Sequence, residues 1–185
     1  MPSIASHFSC ASLVAKKLDI NNDDFYRGNI LPDLLEGIES HYKIDGTYYL
    51  IPNIDYYKNH MKNNYLDLGY LCHLLLDKYF LEEYIPNNIK VYKDIDLFVF
   101  ERIYTDYTNM NKKLIDYYNL DIEYINKIMK EFPVKLDQNK YNSNLNSINH
   151  LTIEDDLKYI NFETYLIFLD NISSRIAKEL KEIMK

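Results

Sequence analysis

The alternation of apolar and polar positions is clearest between Gly69 and Tyr84, where the sequence reads GYLCHLLLDKYFLEEY. The stretch contains no proline and no β-branched residue, and it is long enough for a helix of about four turns. On a wheel of about 100° per residue, Lys78 and Glu82 share the edge expected to face solvent. Almost opposite lie His73 and Asp77. The residues that flank this pair are Gly69, Leu76, Phe80 and Tyr84.

A histidine and an aspartate on the most apolar face of a helix are costly to bury unless their polarity is compensated. At positions i and i+4, the His73 and Asp77 side chains point the same way and can share a partner. One interpretation is a His–Asp hydrogen bond that closes on itself inside the core. The other is half of a metal site, because imidazole and carboxylate on adjacent turns fit a divalent ion. Further ligands elsewhere in the chain would favour the metal site.

Helical periodicity continues over most of the chain, which has only four glycines and five prolines in 185 residues. This spacing of helix breakers favours an all-α fold, a helical bundle formed by a single domain over residues 1–185, with no internal repeat. The most polar segment is predicted to be a mobile loop or a lid, and it covers residues 135–149. Besides the central stretch, helices are predicted over residues 3–18, 55–64, 94–119, 121–132 and from 152 to the C-terminus, with a break or bend at 171–174.

Two candidate ligands lie between the first helix and the central helix. Pro32 restricts Leu31 to an extended conformation, which predicts the end of a loop. Asp33 follows, and it is either the cap of a short helix with Glu36 in a capping box, or a metal ligand at a helix start. His41 is expected at a helix end just before a turn, where a histidine alone indicates nothing.

Other polar positions differ in the surroundings that the pattern predicts for them. His7 falls inside the apolar stripe of the first helix, beside Ala11 and Val14. A lone histidine in such a place is more often a satisfied core residue than a ligand. His60 has only polar neighbours and is therefore predicted to face solvent. Asp106, near the middle of a long helix, is also predicted to be exposed.

Composition narrows the classes of function. The formal net charge of −7, without a stripe of Lys and Arg, argues against duplex nucleic acid as a partner. Cys10 and Cys72 are not in a C-x-x-C arrangement, so they are expected to be core residues in a reducing compartment. No apolar run reaches the length of a membrane span, and the N-terminus does not resemble a secretion signal. We therefore expect a cytoplasmic protein, whose oligomeric state the sequence leaves open.

Taken in chain order, these elements resemble the zinc-dependent phospholipase C family of bacterial proteins, most closely its small intracellular members. The resemblance rests on a first helix with His7, the loop GNILPD ending at Asp33, the His41-Tyr dipeptide, and GYLCHLLLD with His73 and Asp77. It covers about the first half of the chain. It implies an all-α fold and a cluster of one to three zinc ions.

The resemblance also implies a ligand set. One ion would be held by Asp33, His41, His73 and Asp77. His7 would serve a neighbouring ion that Asp77 can bridge. Fully assembled, these are the nitrogen and oxygen ligands that zinc prefers.

The chain departs from the family pattern at three points. Secreted members use the amine of a processed N-terminus as a ligand, whereas no cleavable signal is evident here. Glu83 stands where the family has a histidine after the central helix. The pair His-x-x-x-Glu occurs only as His150 and Glu154, much farther along the chain. Glu83, His150 and Glu154 are therefore secondary candidates for metal ligands.

The leading hypothesis is a zinc-dependent phosphoesterase that hydrolyses a phosphodiester of a small molecule or a lipid. Metal-bound hydroxide would be the nucleophile, because no Ser/His/Asp or Cys/His arrangement is evident in the sequence. Asp33 would orient or deprotonate that water. One alternative is a non-catalytic helical protein with a structural or vestigial metal site. Another is an HD-type phosphohydrolase, but that family needs an adjacent His-Asp pair, which this sequence lacks.

Overall fold

The computed structural model describes residues 2–35, 40–43, 50–89, 97–130, 132, 134–149 and 157–185, and only the backbone of 97–102. The predicted all-α bundle is confirmed, with one small antiparallel hairpin beside the helices. The hairpin consists of β1 (His41–Lys43) and β2 (Leu50–Pro52). The helices are α1 Ile4–Leu18, α2 Asp23–Ile30, α3 Ile54–His60, α4 Tyr65–Tyr79, α5 Ile85–Asn88, α6 Leu97–Tyr117, α7 Ile122–Lys130, α8 Gln138–Asn149 and α9 Phe162–Ile183.

Helix α4 is the centre of the bundle and packs against α1, α2, α9 and the hairpin. It begins where the Asn64 side chain accepts a hydrogen bond from the backbone N–H of Asp67. His73 and Asp77 are completely buried, as predicted. The predicted solvent edge is also confirmed, because the Lys78 and Glu82 side chains are 39% and 61% exposed. A single π-helical turn, Phe80–Tyr84, joins α4 to α5.

Helix α2 was not predicted, since the residues before Pro32 were interpreted as a loop. It begins after Asn22, whose side chain accepts from the N–H of Asp24. Two glycines let α2 lie directly on α4. A Cβ on Gly28 would be 1.9 Å from the Leu66 carbonyl oxygen, and one on Gly69 would be 1.9 Å from the Phe25 carbonyl oxygen. The two backbones are therefore in contact, which a side chain at either glycine would prevent.

The prediction of an extended Leu31 is wrong. Leu31 has φ −59° and ψ −40°, and Leu31–Asp33 form a 3₁₀ turn that continues α2. The steric effect of Pro32 is a bias, and here the burial of Leu31 outweighs it. Asp33 ends this turn instead of capping a helix, and Glu36 lies outside the described residues.

His41 is on a strand and not at a helix end. In the hairpin, His41 pairs with Pro52, and the N–H of Asn53 donates to the Ser40 carbonyl at 2.7 Å. The hairpin therefore holds His41 against α4.

The segment predicted to be a mobile loop or a lid contains helix α8. Asp137 begins the helix, because its carboxylate accepts from the N–H groups of Asn139 and Lys140. Ile148 is completely buried and anchors the other end. The Asp137 cap and the burial of Ile148 therefore stabilise a helix in this segment. The Asn-rich composition did not predict it, because asparagine disfavours the interior of helices.

Asp106 is buried, with 2% of its surface exposed, and the prediction that it faces solvent is wrong. Its carboxylate accepts from the N–H groups of Lys158, Tyr159 and Ile160 at 3.2, 2.7 and 3.0 Å. These bonds hold the residues just before α9 in a non-helical conformation.

The last helix therefore begins at Phe162, where the Asn161 side chain accepts from the N–H of Thr164. The predicted start at Thr152 falls outside the described residues. The predicted break or bend at residues 171–174 does not interrupt α9, which continues to Ile183.

Cys10 and Cys72 are buried thiols, as expected of core residues. Within the part of the chain that the structure describes, no helix is both long enough and apolar enough to cross a membrane.

Candidate metal centre

The five primary candidates, predicted from separate parts of the sequence, converge on one place. Helix α1 supplies His7, the 3₁₀ turn supplies Asp33, strand β1 supplies His41, and α4 supplies His73 and Asp77. Two overlapping sets have ligand atoms within 4.8 Å of one another, and they share His73. One set is completed by His7 and Asp33, and the other by His41 and Asp77.

Asp77 lies at the middle of the three imidazoles. Its Oδ2 is 2.9 Å from His41 Nε2 and 3.1 Å from His73 Nε2. Its other oxygen, Oδ1, is 3.4 Å from His7 Nε2. The two carboxylate oxygens thus face different histidines, which is the arrangement needed for the bridging role that the resemblance implies. Asp33 Oδ1 approaches from the other side and is 3.7 Å from His73 Nε2.

The packing of α2 on α4 fixes the tautomer of His73. Its Nδ1 is 2.7 Å from the Asn29 carbonyl oxygen. A carbonyl can only accept, so Nδ1 carries the proton of this bond. In the neutral imidazole, Nε2 is then left with its lone pair directed at Asp77 and Asp33. A carbonyl oxygen that orients the far nitrogen is the usual support of a metal-bound histidine.

Several polar atoms in the cluster remain unpaired although they are buried. Both ring nitrogens of His7, Nε2 of His73 and Oδ1 of Asp77 have no hydrogen-bond partner among the described residues. His7 lies flat on His73, with ring centroids 3.7 Å apart and planes 8° from parallel. The His73–Asp77 pair is not closed on itself, because Asp77 also faces His41 and His7. Unpaired buried nitrogen and oxygen atoms that converge on one point fit a bound cation.

The electrostatics of the cluster also suit metal ligands. Burial lowers the pKa of His7, and the neighbouring His73 lowers it further. Burial alone would lower the pKa of His73, but the charges of Asp77 and Asp33 outweigh burial and raise it. Burial alone would raise the pKa of Asp77, but positive charge on His73 holds it well below its usual range. Asp77 is thus an anion and His7 a neutral imidazole, which are the forms that bind metal.

A cleft of about 450 Å³ opens beside the cluster. Asp33 and His41 line this cleft, together with residues of α6 and α8. The Asp33 side chain is 19% exposed, whereas those of His73 and Asp77 are completely buried. Among the five candidate ligands, Asp33 and His41 are the two that line the cleft.

Glu83 is the one secondary candidate among the described residues, and it does not join the cluster. Glu83 is on the surface, where it forms an ion pair with Arg175 at 2.7 Å. His150 and Glu154 lie outside the described residues. His60, which the sequence analysis excluded, is exposed, and its Nδ1 donates to the Tyr56 carbonyl.

The sequence analysis missed one arrangement beside the cleft, which Ser40 and His41 line. Ser40 Oγ is 3.0 Å from His41 Nδ1, and His41 Nε2 is 2.9 Å from Asp77 Oδ2. These contacts form a Ser–His–Asp chain, contrary to the expectation that no such arrangement exists. Ser40 and His41 are neighbours in sequence, and only the hairpin that places them beside α4 could have revealed the chain.

The chain was compared with models of protein families, with curated proteins and with solved structures, and none of them matches. The resemblance to the zinc-dependent phospholipase C family therefore rests on the sequence motifs described above.

Proposed function

We propose that this protein is a zinc-dependent phosphoesterase that hydrolyses a phosphodiester. The observation that supports it best is the convergence of three histidines and two aspartates beside a cleft. Most of these side chains are buried and partly unpaired, while Asp33 and His41 line the cleft.

Zinc fits these donors, since imidazole nitrogen and carboxylate oxygen are its usual ligands outside thiolate sites. His41, His73 and Asp77 would hold one ion, and Asp33 and His7, which form the other set with His73, would hold a second one next to it. When bound, zinc supplies a Lewis acid that makes water more acidic and withdraws charge from phosphoryl oxygens.

Asp33 is the residue of the cluster best placed to act on water. It ends a rigid turn, it is partly exposed, and it faces the cleft. Its carboxylate would orient the attacking water and accept a proton from it.

Lys140 would position the substrate phosphate. Apart from His41, it is the only basic residue among the described residues that line the cleft. Its ammonium group donates to the Leu35 carbonyl at 2.8 Å, two residues after Asp33 in the chain. A positive charge there would attract an anionic diester towards the cluster.

The test is a panel of chromogenic phosphodiesters and phosphomonoesters with zinc-loaded protein, before and after chelation. We expect diester hydrolysis that chelator abolishes, zinc restores and Asp33→Asn greatly reduces. His60→Ala, a change to an exposed histidine outside the cluster, is the matched control and should retain activity. Activity that survives both chelation and Asp33→Asn would refute the mechanism. Stoichiometric zinc without turnover of any substrate would instead favour a structural metal site.

The Ser40–His41–Asp77 chain supports a second candidate, which is a hydrolase with a serine nucleophile. In that case His41 would take the Ser40 proton and Asp77 would hold the resulting imidazolium. Ser40→Ala distinguishes the two mechanisms. If the protein is a serine hydrolase, Ser40→Ala should abolish its activity, and the wild-type activity should resist chelation. If the zinc mechanism holds, Ser40→Ala should retain activity, because it removes no metal ligand.

A further inference from the structure

One wall of the cleft carries two polar side chains whose hydrogen-bonding groups are unused. Tyr107 and Asn111 are one helical turn apart on α6, so they project from the same face, and both line the cleft. Each is only 1% exposed. The Tyr107 hydroxyl and the Asn111 side-chain oxygen have no hydrogen-bond partner among the described residues. Such groups are rare in folded proteins, and each one calls for an explanation.

The wall formed by α8 is polar as well. The residues that α8 directs into the cleft follow the spacing i, i+3, i+4 and i+7, and they are Lys140, Ser143, Asn144 and Ser147. The Asn111 amide nitrogen donates to the Ser147 carbonyl at 3.4 Å, which joins the two walls. This bond uses the Asn111 amide nitrogen and leaves the amide oxygen as an unused acceptor.

The two unused groups are complementary in kind. The phenol of Tyr107 can donate, and the amide oxygen of Asn111 can only accept. An alcohol hydroxyl can accept from the first and donate to the second, so it can satisfy both groups together. A methyl group, an acyl chain or an aromatic ring can satisfy neither, and burying both groups beneath such a ligand would cost binding energy.

We propose that this cleft binds the alcohol part of the phosphodiester and that this part carries several hydroxyl groups. The inference rests on the proposed function, in which the Asp33 and His41 end of the cleft receives the phosphate. Tyr107 and Asn111 bind one hydroxyl group of the alcohol. The serine and asparagine side chains of α8 line the same cleft, where they bind the remaining hydroxyl groups. The substrate class is then the phosphodiesters of polyols, such as glycerol, a sugar or a nucleoside, whose shared chemistry is the cluster of hydroxyl groups.

The test compares two substrates that differ only in the alcohol, which are the p-nitrophenyl phosphodiesters of methanol and of glycerol. With zinc-loaded protein, kcat/KM should be higher for the glycerol diester. Tyr107→Phe removes only the hydroxyl, and it should lower the glycerol-to-methanol ratio of kcat/KM by about tenfold, the value of one hydrogen bond. Tyr165→Phe is the matched control, because Tyr165 is also completely buried but does not line the cleft. It should leave the ratio at the wild-type value. A p-nitrophenyl diester of a nucleoside, run beside the other two, identifies which polyol is preferred.

A binding measurement separates this inference from the proposed function. Calorimetric titration with glycerol 2-phosphate and with methyl phosphate should show tighter binding of the glycerol compound, and Tyr107→Phe should remove the difference. Equal turnover of both diesters would overturn the polyol site and leave the phosphoesterase intact. No turnover, combined with a Tyr107-dependent preference for glycerol 2-phosphate, would support the polyol site and overturn the phosphoesterase. No turnover and no preference would overturn both.

Discussion

Asp77→Ala is the substitution that should disturb the structure most, because one carboxylate serves three buried imidazoles. Asp77 is completely buried, and its oxygens lie 2.9, 3.1 and 3.4 Å from the Nε2 atoms of His41, His73 and His7. The change removes the anion and leaves its partners where water does not reach. It tests both the metal centre and the packing around it.

The size of the effect follows from what is left behind. Removing one partner of a buried ion pair costs about 3–5 kcal/mol, because the other partner stays buried without compensation. For a domain of this length, such a loss lowers the melting temperature by about 6–20 °C. Added zinc should increase the difference in stability between the wild type and Asp77→Ala. At a free concentration a hundredfold above Kd, zinc would stabilise the wild type by about 2.7 kcal/mol, whereas Asp77→Ala has lost a ligand.

The assay is thermal and urea unfolding followed by far-ultraviolet circular dichroism, first with chelator and then with added zinc. His60→Ala is the control, and a change at this exposed histidine should stay within about 0.5 kcal/mol of the wild type. A metal-free Asp77→Ala protein as stable as the wild type would refute the assigned role of the carboxylate. A His60→Ala protein as unstable as Asp77→Ala would show that the exposed position of His60 and the buried position of Asp77 are wrongly assigned.

Three further predictions concern other parts of the molecule. Zinc affinity, measured by competition with a chelating dye, should fall as pH drops, because histidine must be neutral to bind metal. Since the pKa of His73 is raised, the loss of affinity should begin above the ordinary histidine value of 6.5. A Kd that does not depend on pH would contradict histidine ligation. Asp106→Asn should cost about 1.5–3 kcal/mol in urea unfolding, because a neutral amide replaces a carboxylate that accepts three backbone N–H bonds; the control Asp116→Asn, which breaks only an exposed ion pair with Lys112, should cost about 0–1 kcal/mol. Gly69→Ala should destabilise by about 1–3 kcal/mol or more, since its Cβ would meet the Phe25 carbonyl at 1.9 Å; unchanged stability would show that α2 does not lie directly on α4.

The sequence predicted which side chains would meet better than it predicted the elements that carry them. His73 and Asp77 stood out because polar residues on the apolar face of a long helix are costly without a partner, and both are buried. The apolar stripe of α1 predicted that His7 is buried, but only the family resemblance made it a candidate ligand. Asp33 and His41 had no such signal of their own, and only the family motifs indicated them.

What the sequence could not show depends on contacts between distant segments. Asp106 had the spacing of an exposed helical residue, but its acceptors satisfy backbone groups more than fifty positions away. Helix α2 was hidden by a proline that follows it. The glycines at 28 and 69 gave no local sign that they face each other. The sequence did not indicate that Tyr107 and Asn111 line a cleft, because the cleft forms only where α8 lies opposite α6.

Zinc content is the most direct test of the central claim that this cluster is a metal centre. The protein should be purified without chelator and without an affinity tag of histidines, and its metals measured by elemental analysis beside His73→Ala and His60→Ala. We expect at least one zinc per chain in the wild type and in His60→Ala, and its loss in His73→Ala. A wild-type protein that contains no transition metal and cannot be reloaded with zinc would contradict the claim.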